Sequence, residues 1–151
     1  MSGFPPGISL PDPIVTAGLL GALEALFAVR VVGQLLVSLG ATRRLPAMGE
    51  WYSGLIPYRR LLGIQLGLLA LMTGTALVVA VRPTWLVDAS PAGSTLLWIA
   101  WPYGLSMPVR YALRMWRHPE ARWTGRTIPI VFHVVLAVWL FILGSYLRPP
   151  G

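Results

Sequence analysis

Four apolar runs separated by short polar segments organise this chain: Ile14 to Gly40, Tyr58 to Val81, Pro91 to Val109 and Ile128 to Leu147. Each has about the 20 residues that a helix needs to cross a hydrocarbon core roughly 30 Å thick. The strict alternation of a membrane barrel strand is absent, and helices are then the spanning structure that satisfies every backbone group within its own segment. The pattern predicts an all-α integral membrane bundle of four transmembrane helices over residues 14–147. An extended Pro-rich segment, 1–13, precedes it and a short tail, 148–151, follows; the connections leave no room for a second domain.

Composition agrees with this picture. Hydrophobic residues make up 56% and charged residues 11% of the 151, and the mean hydropathy is +0.68, too few polar side chains to cover a water-soluble globule. The N-terminus, MSGFPPGISLPDP, lacks the basic region that opens a cleavable signal. The absence of cysteine rules out disulfides, zinc thiolate sites and iron–sulfur clusters.

The net charge of +7 does not indicate nucleic acid, because the twelve basic residues are all arginines and all but Arg30 lie at span ends or in the connections, among tryptophans, where membrane anchoring places them. Their sidedness orients the chain. Arg43, Arg44, Arg59, Arg60, Arg110, Arg114, Arg117, Arg122 and Arg126 flank one side of the spans, against Arg82 and Arg148 on the other. By the positive-inside rule both termini lie on the non-cytoplasmic side, in a multi-pass protein of a bacterial inner membrane.

Helix faces suggest how the spans pack. Gly63, Gly67, Ala70 and Gly74 form a narrow small-residue stripe on the second span, including a GIQLG version of G-x-x-x-G, and Gly18, Ala22 and Ala25 offer a matching stripe on the first. The expectation is helix packing within the chain, with a dimer or docking face as the alternative. Pro102 and Pro108, with Gly104 between them, predict a kinked third helix.

At EWYSGLIPYRRLLGIQLGLLALM and RYALRMWRHPEARWTGRTIPIVFH the chain resembles a group of small bacterial four-span membrane proteins, over roughly residues 30 to 147. The resemblance implies the four-span architecture and carries across no catalytic residue. The Pro-rich N-terminus falls outside it.

Candidate chemistry is sparse, and no catalytic motif is present. His118 and Glu120 could give two metal ligands, but no third lies at useful spacing, so a solvated loop is the expectation and no metal is required. Arg110, Arg114 and Arg117 line one side of the helix leaving the bilayer and, with Arg122 and Arg126, suit anionic lipid head groups. His133 enters the fourth span by about 8 Å, at a depth similar to those of Gln34, Gln65 and Ser106 on the other three spans. These four residues form an expected polar layer. It acts either as hydrogen-bonded glue between helices or as a pocket for a quinone, a lipid head group or a (bacterio)chlorophyll-type pigment. A bis-histidine haem is disfavoured, since only one histidine lies in a span. Glu24 and Arg30 in the first span are about 9 Å apart along the helix and about 120° apart around it, so each requires another partner. The reading that joins these features is a small accessory subunit, not an enzyme, in a larger membrane assembly of respiratory or photosynthetic type. The alternative is a redox or lipid-handling protein with a ligand near His133.

Overall fold

A computed structural model describes residues 12–51, 56–81, 90–117 and 127–148. Among these the chain is all-helical: α1 Pro13–Ser38, α2 Met48–Trp51, α3 Tyr58–Val81, α4 Ser90–Arg117 and α5 Thr127–Leu147. The expected Pro-rich segment up to residue 11, His118, Glu120, Arg122, Arg126 and the last three residues of the tail lie outside the described residues.

The ends of α1 follow from its sequence. Asp12 caps it by accepting from the Ile14 amide at 2.6 Å, and Pro13, which has no N–H to satisfy, occupies the first helical position. At the other end Gly40 takes φ +66°, and the Gly40 and Ala41 amides bond back to the Val37 and Leu36 carbonyls. This glycine termination closes the helix two residues earlier than the apolar run does. α4 runs without interruption through Pro102 and Pro108 and continues to Arg117.

Among the described residues three helices, α1, α3 and α5, are long and apolar enough to cross a membrane, the mark of a helical membrane protein. The expected span 91–109 lies inside α4, a 28-residue helix that mixes apolar residues with prolines, hydroxyls and arginines and does not meet the same standard. Apolar side chains point outward on all four long helices. Val29, Ile64, Leu71, Leu105 and Trp98 are each more than half exposed, as suits lipid rather than water.

The principal contacts run α3 to α1, α1 to α5 and α5 to α4, while α3 and α4 share no extensive contact. α1 therefore stands between α3 and α5. Its buried face, Thr16, Leu20, Phe27, Val31 and Gln34, repeats every three or four residues. The facing stripe of α3 is Gln65, Met72 and Val79, seven residues apart. With Trp139, Ile142, Leu143 and Leu147 of α5 these residues form the core.

The α4–α5 contact is closer. A Cβ built on Gly93 would lie 2.8 Å from the Gly144 carbonyl oxygen and from two further backbone atoms at the end of α5, and one on Gly144 would lie 3.1 Å from the Gly93 oxygen. Lower down, Gly104 faces Ala137 at 3.4 Å, and Trp101 meets Phe141 edge-on with centroids 5.6 Å apart. Small residues let two backbones approach in this way.

The small-residue stripe expected to pack within the chain does not do so. Gly63, Gly67, Ala70 and Gly74 face outward, and nothing lies within 4 Å of a Cβ built on any of the three glycines; Gly18 on α1 is equally open. The polar and bulky stripe of Gln65, Met72 and Val79 makes the contact instead, because it meets the Gln34 amide and the core side chains of α1 and α5.

These two environments predict opposite effects of the same substitution. Gly93→Ala forces a methyl group against backbone and should cost about 1–3 kcal/mol. Gly63→Ala enters open space and should gain about 0.5–1 kcal/mol from helix propensity. Thermal unfolding in detergent checks both, and equal shifts of the same sign would contradict the assigned α4–α5 seam.

Candidate functional site

Polar side chains within the spans gather on α1 and its neighbours, toward the ends that carry most of the arginines. Gln34 is fully buried on α1 and Gln65 nearly so on α3, and the Gln65 side-chain amide donates to the Gln34 carbonyl oxygen at 3.1 Å. Antiparallel packing sets this depth, and the expected meeting of these two residues occurs. Each retains an unused buried atom, Gln34 Nε2 and Gln65 Oε1.

Arg30 lies one turn before Gln34 on the same face and is 6% exposed. Its Nη2 donates to the Trp51 carbonyl oxygen at 3.1 Å, and its guanidinium stands 5.5 Å from the Phe132 ring centroid and 6.0 Å from that of Phe27. Short α2 is shaped for this contact. The Trp51 indole lies on Gly33, where an ideal Cβ would come within 2.7 Å of the ring, and its Nε1 donates to the Pro46 carbonyl at 2.9 Å. Arg30 thus finds a backbone carbonyl for a partner, while its Nε–H stays buried and unpaired. Glu24, nearer the opposite end of α1, accepts from the Thr73 hydroxyl of α3.

His133 is half-buried and turned toward α4. Its Nδ1 donates to the Pro129 carbonyl of its own helix at 2.5 Å, and its ring packs against Tyr103 with centroids 5.9 Å apart. A carbonyl can only accept, so Nδ1 carries the proton and the Nε2 of the neutral ring keeps a lone pair. Among the described residues, Nε2 has no hydrogen-bond partner. The Ser106 hydroxyl bonds the Tyr103 carbonyl one turn back at 2.7 Å and does not reach His133.

The expected single layer therefore divides into two clusters: Arg30, Gln34 and Gln65 with Trp51 on the α1 side, and His133 with Tyr103 on the α4 side. Arg110 and Arg117 are exposed on α4, with Arg114 half-buried between them, and Arg114 and Arg117 occupy its last turn, where cations complement the helix dipole.

Sequence reasoning missed two participants. Trp51 had no signal beyond its place in a WY pair, because what Arg30 uses is its backbone carbonyl. The Gly93–Gly144 approach was legible as small residues seven apart, Gly93 with Ala100 and Ala137 with Gly144. No known protein family, curated protein or solved structure matches the chain.

The glutamine pair makes a direct prediction. Gln34→Leu alone leaves the Gln65 amide without its partner in the core and should cost about 1–3 kcal/mol. Replacing both by leucine removes the stranded group, and the double variant should unfold close to the wild-type temperature in lipid-free detergent. Additive losses would show that the two side chains do not meet.

Proposed function

We propose that the chain is a small accessory subunit of a larger membrane assembly of respiratory or photosynthetic type, binding lipid and partner subunits rather than catalysing a reaction. The observation that carries this reading is the open face of α3. In lipid, a glycine stripe that packs on none of the described residues is a surface ready for close approach by another helix.

The arrangement in the membrane belongs to the same proposal. α4 packs along α5 from Gly93 to Gly104, which supports reading it as the fourth span of the bundle. The nine-to-two division of arginines puts both termini outside the cytoplasm of a bacterial cell, and the exposed arginines of α4 among anionic head groups of the inner leaflet.

A second reading has its own support. A histidine whose Nδ1 is fixed by a carbonyl and whose Nε2 keeps a lone pair is set up as a metal ligand or hydrogen-bond acceptor. It would suit a (bacterio)chlorophyll-type pigment, or the hydroxyl of a reduced quinone.

Gly67→Leu tests the primary reading. Among the described residues nothing touches this position, so the isolated variant should unfold at or above the wild-type temperature yet lose the proteins that co-purify with wild type after gentle solubilisation. Unchanged co-purification would remove the docking surface from the account, and an absorption spectrum of the same preparation checks the pigment reading.

A further inference from the structure

Three buried atoms have no partner among the described residues: Arg30 Nε and Gln34 Nε2, one turn apart on α1, and Gln65 Oε1 on α3, whose amide meets Gln34. All three residues are more than nine-tenths buried. The set amounts to two donors and one acceptor, and it survives the ambiguity of amide orientation: turning both glutamines over exchanges their roles but still leaves one N–H and one C=O free.

The charge of the cluster is one-sided. Among the described residues, Arg30 meets a backbone carbonyl and two aromatic faces rather than a carboxylate. A guanidinium buried in a membrane protein is costly unless an anion joins it. Outside the cluster, the exposed Arg43, Arg44, Arg59 and Arg60 flank it on the segments that end α1 and begin α3, and concentrate anions at that surface. Gln34 is about 6 Å by helical rise from the end of α1 and Gln65 about 10 Å from the start of α3, so the cluster sits just inside the head-group level rather than at mid-membrane.

We propose that Arg30, Gln34 and Gln65 form a binding site for a phosphate ester, entering from the arginine-rich face. The two N–H donors take phosphate oxygens, and the free carbonyl of the glutamine pair takes a hydroxyl borne by the same ligand. A phospholipid whose phosphodiester carries a hydroxylated head group supplies both. Phosphatidylglycerol has this chemistry; phosphatidylcholine, with a compensating cation and no hydroxyl, does not. The site extends the lipid-binding part of the proposed function inward from the surface arginines to a specific buried cation.

The test uses the full chain in neutral detergent, titrated separately with dioleoylphosphatidylglycerol, dioleoylphosphatidylcholine and inorganic phosphate, with unfolding temperature and retained phosphorus as readouts. Phosphatidylglycerol should raise the unfolding temperature and remain bound through purification, and phosphatidylcholine should do neither. Gln34→Leu/Gln65→Leu, which keeps Arg30 and a filled core, should weaken retention by about tenfold or more, the loss expected for hydrogen bonds to a charged group. Arg30→Gln should abolish it where that variant folds. Protection by inorganic phosphate equal to that by the lipid would support the same site with a soluble source. Two results would overturn the proposal: equal protection by both lipids, or unaltered phosphatidylglycerol retention in the double variant, which would assign the lipid to the outer arginines alone. The isolated chain contains no partner subunit, so the lipid result and the docking result vary independently.

Discussion

Hydrocarbon offers a polar group nothing to bond with, and that constraint arranges the inside of this protein. Every polar side chain placed within α1 has found another helix or its own backbone: Glu24 through Thr73, Arg30 through the Trp51 carbonyl, Gln34 through Gln65. α1 accordingly stands between α3 and α5, and α4 joins the bundle through α5. Burial of apolar surface cannot do this in a bilayer, where lipid tails are as apolar as leucine. The fold relies on these few hydrogen bonds and on close packing, of which the Gly93–Gly144 contact is the tightest example.

The same constraint explains what could be read from the sequence. The spans 14–40, 58–81 and 128–147 match helices to within a residue or two because their lengths and composition are dictated by the bilayer. That Glu24 and Arg30 each needed a partner other than the other followed from helix geometry, and the Gln34–Gln65 meeting followed from antiparallel depth. The face that α3 presents to α1 did not follow. Small residues state that close approach is permitted, not that it happens, and Gly63, Gly67 and Gly74 turned outward while Gln65, Met72 and Val79 turned in. His133 meets Tyr103, three residues before Ser106 on α4, and not the glutamine pair, since equal depth by residue count does not decide which neighbour a side chain packs on. The role of Trp51 rests on a main-chain oxygen, which any residue could have supplied.

On the proposed reading, the two surfaces of α3 have separate tasks. Its inner stripe holds the chain together and contributes Gln65 to a cluster that suits an acidic oxygen ligand at the arginine-rich end. Its outer stripe remains free for a neighbouring helix. In this account stability and recognition sit on opposite sides of one helix, which is why substitutions on the outer side can leave the isolated protein intact.

The most direct measurement of that division is the oxygen accessibility of a nitroxide attached at Ala70, compared between the isolated protein in lipid and the native membrane. The account predicts an exposed, oxygen-accessible label on the isolated chain and a shielded one in the native membrane. A label already shielded in the isolated chain, or equally exposed in both, would contradict it.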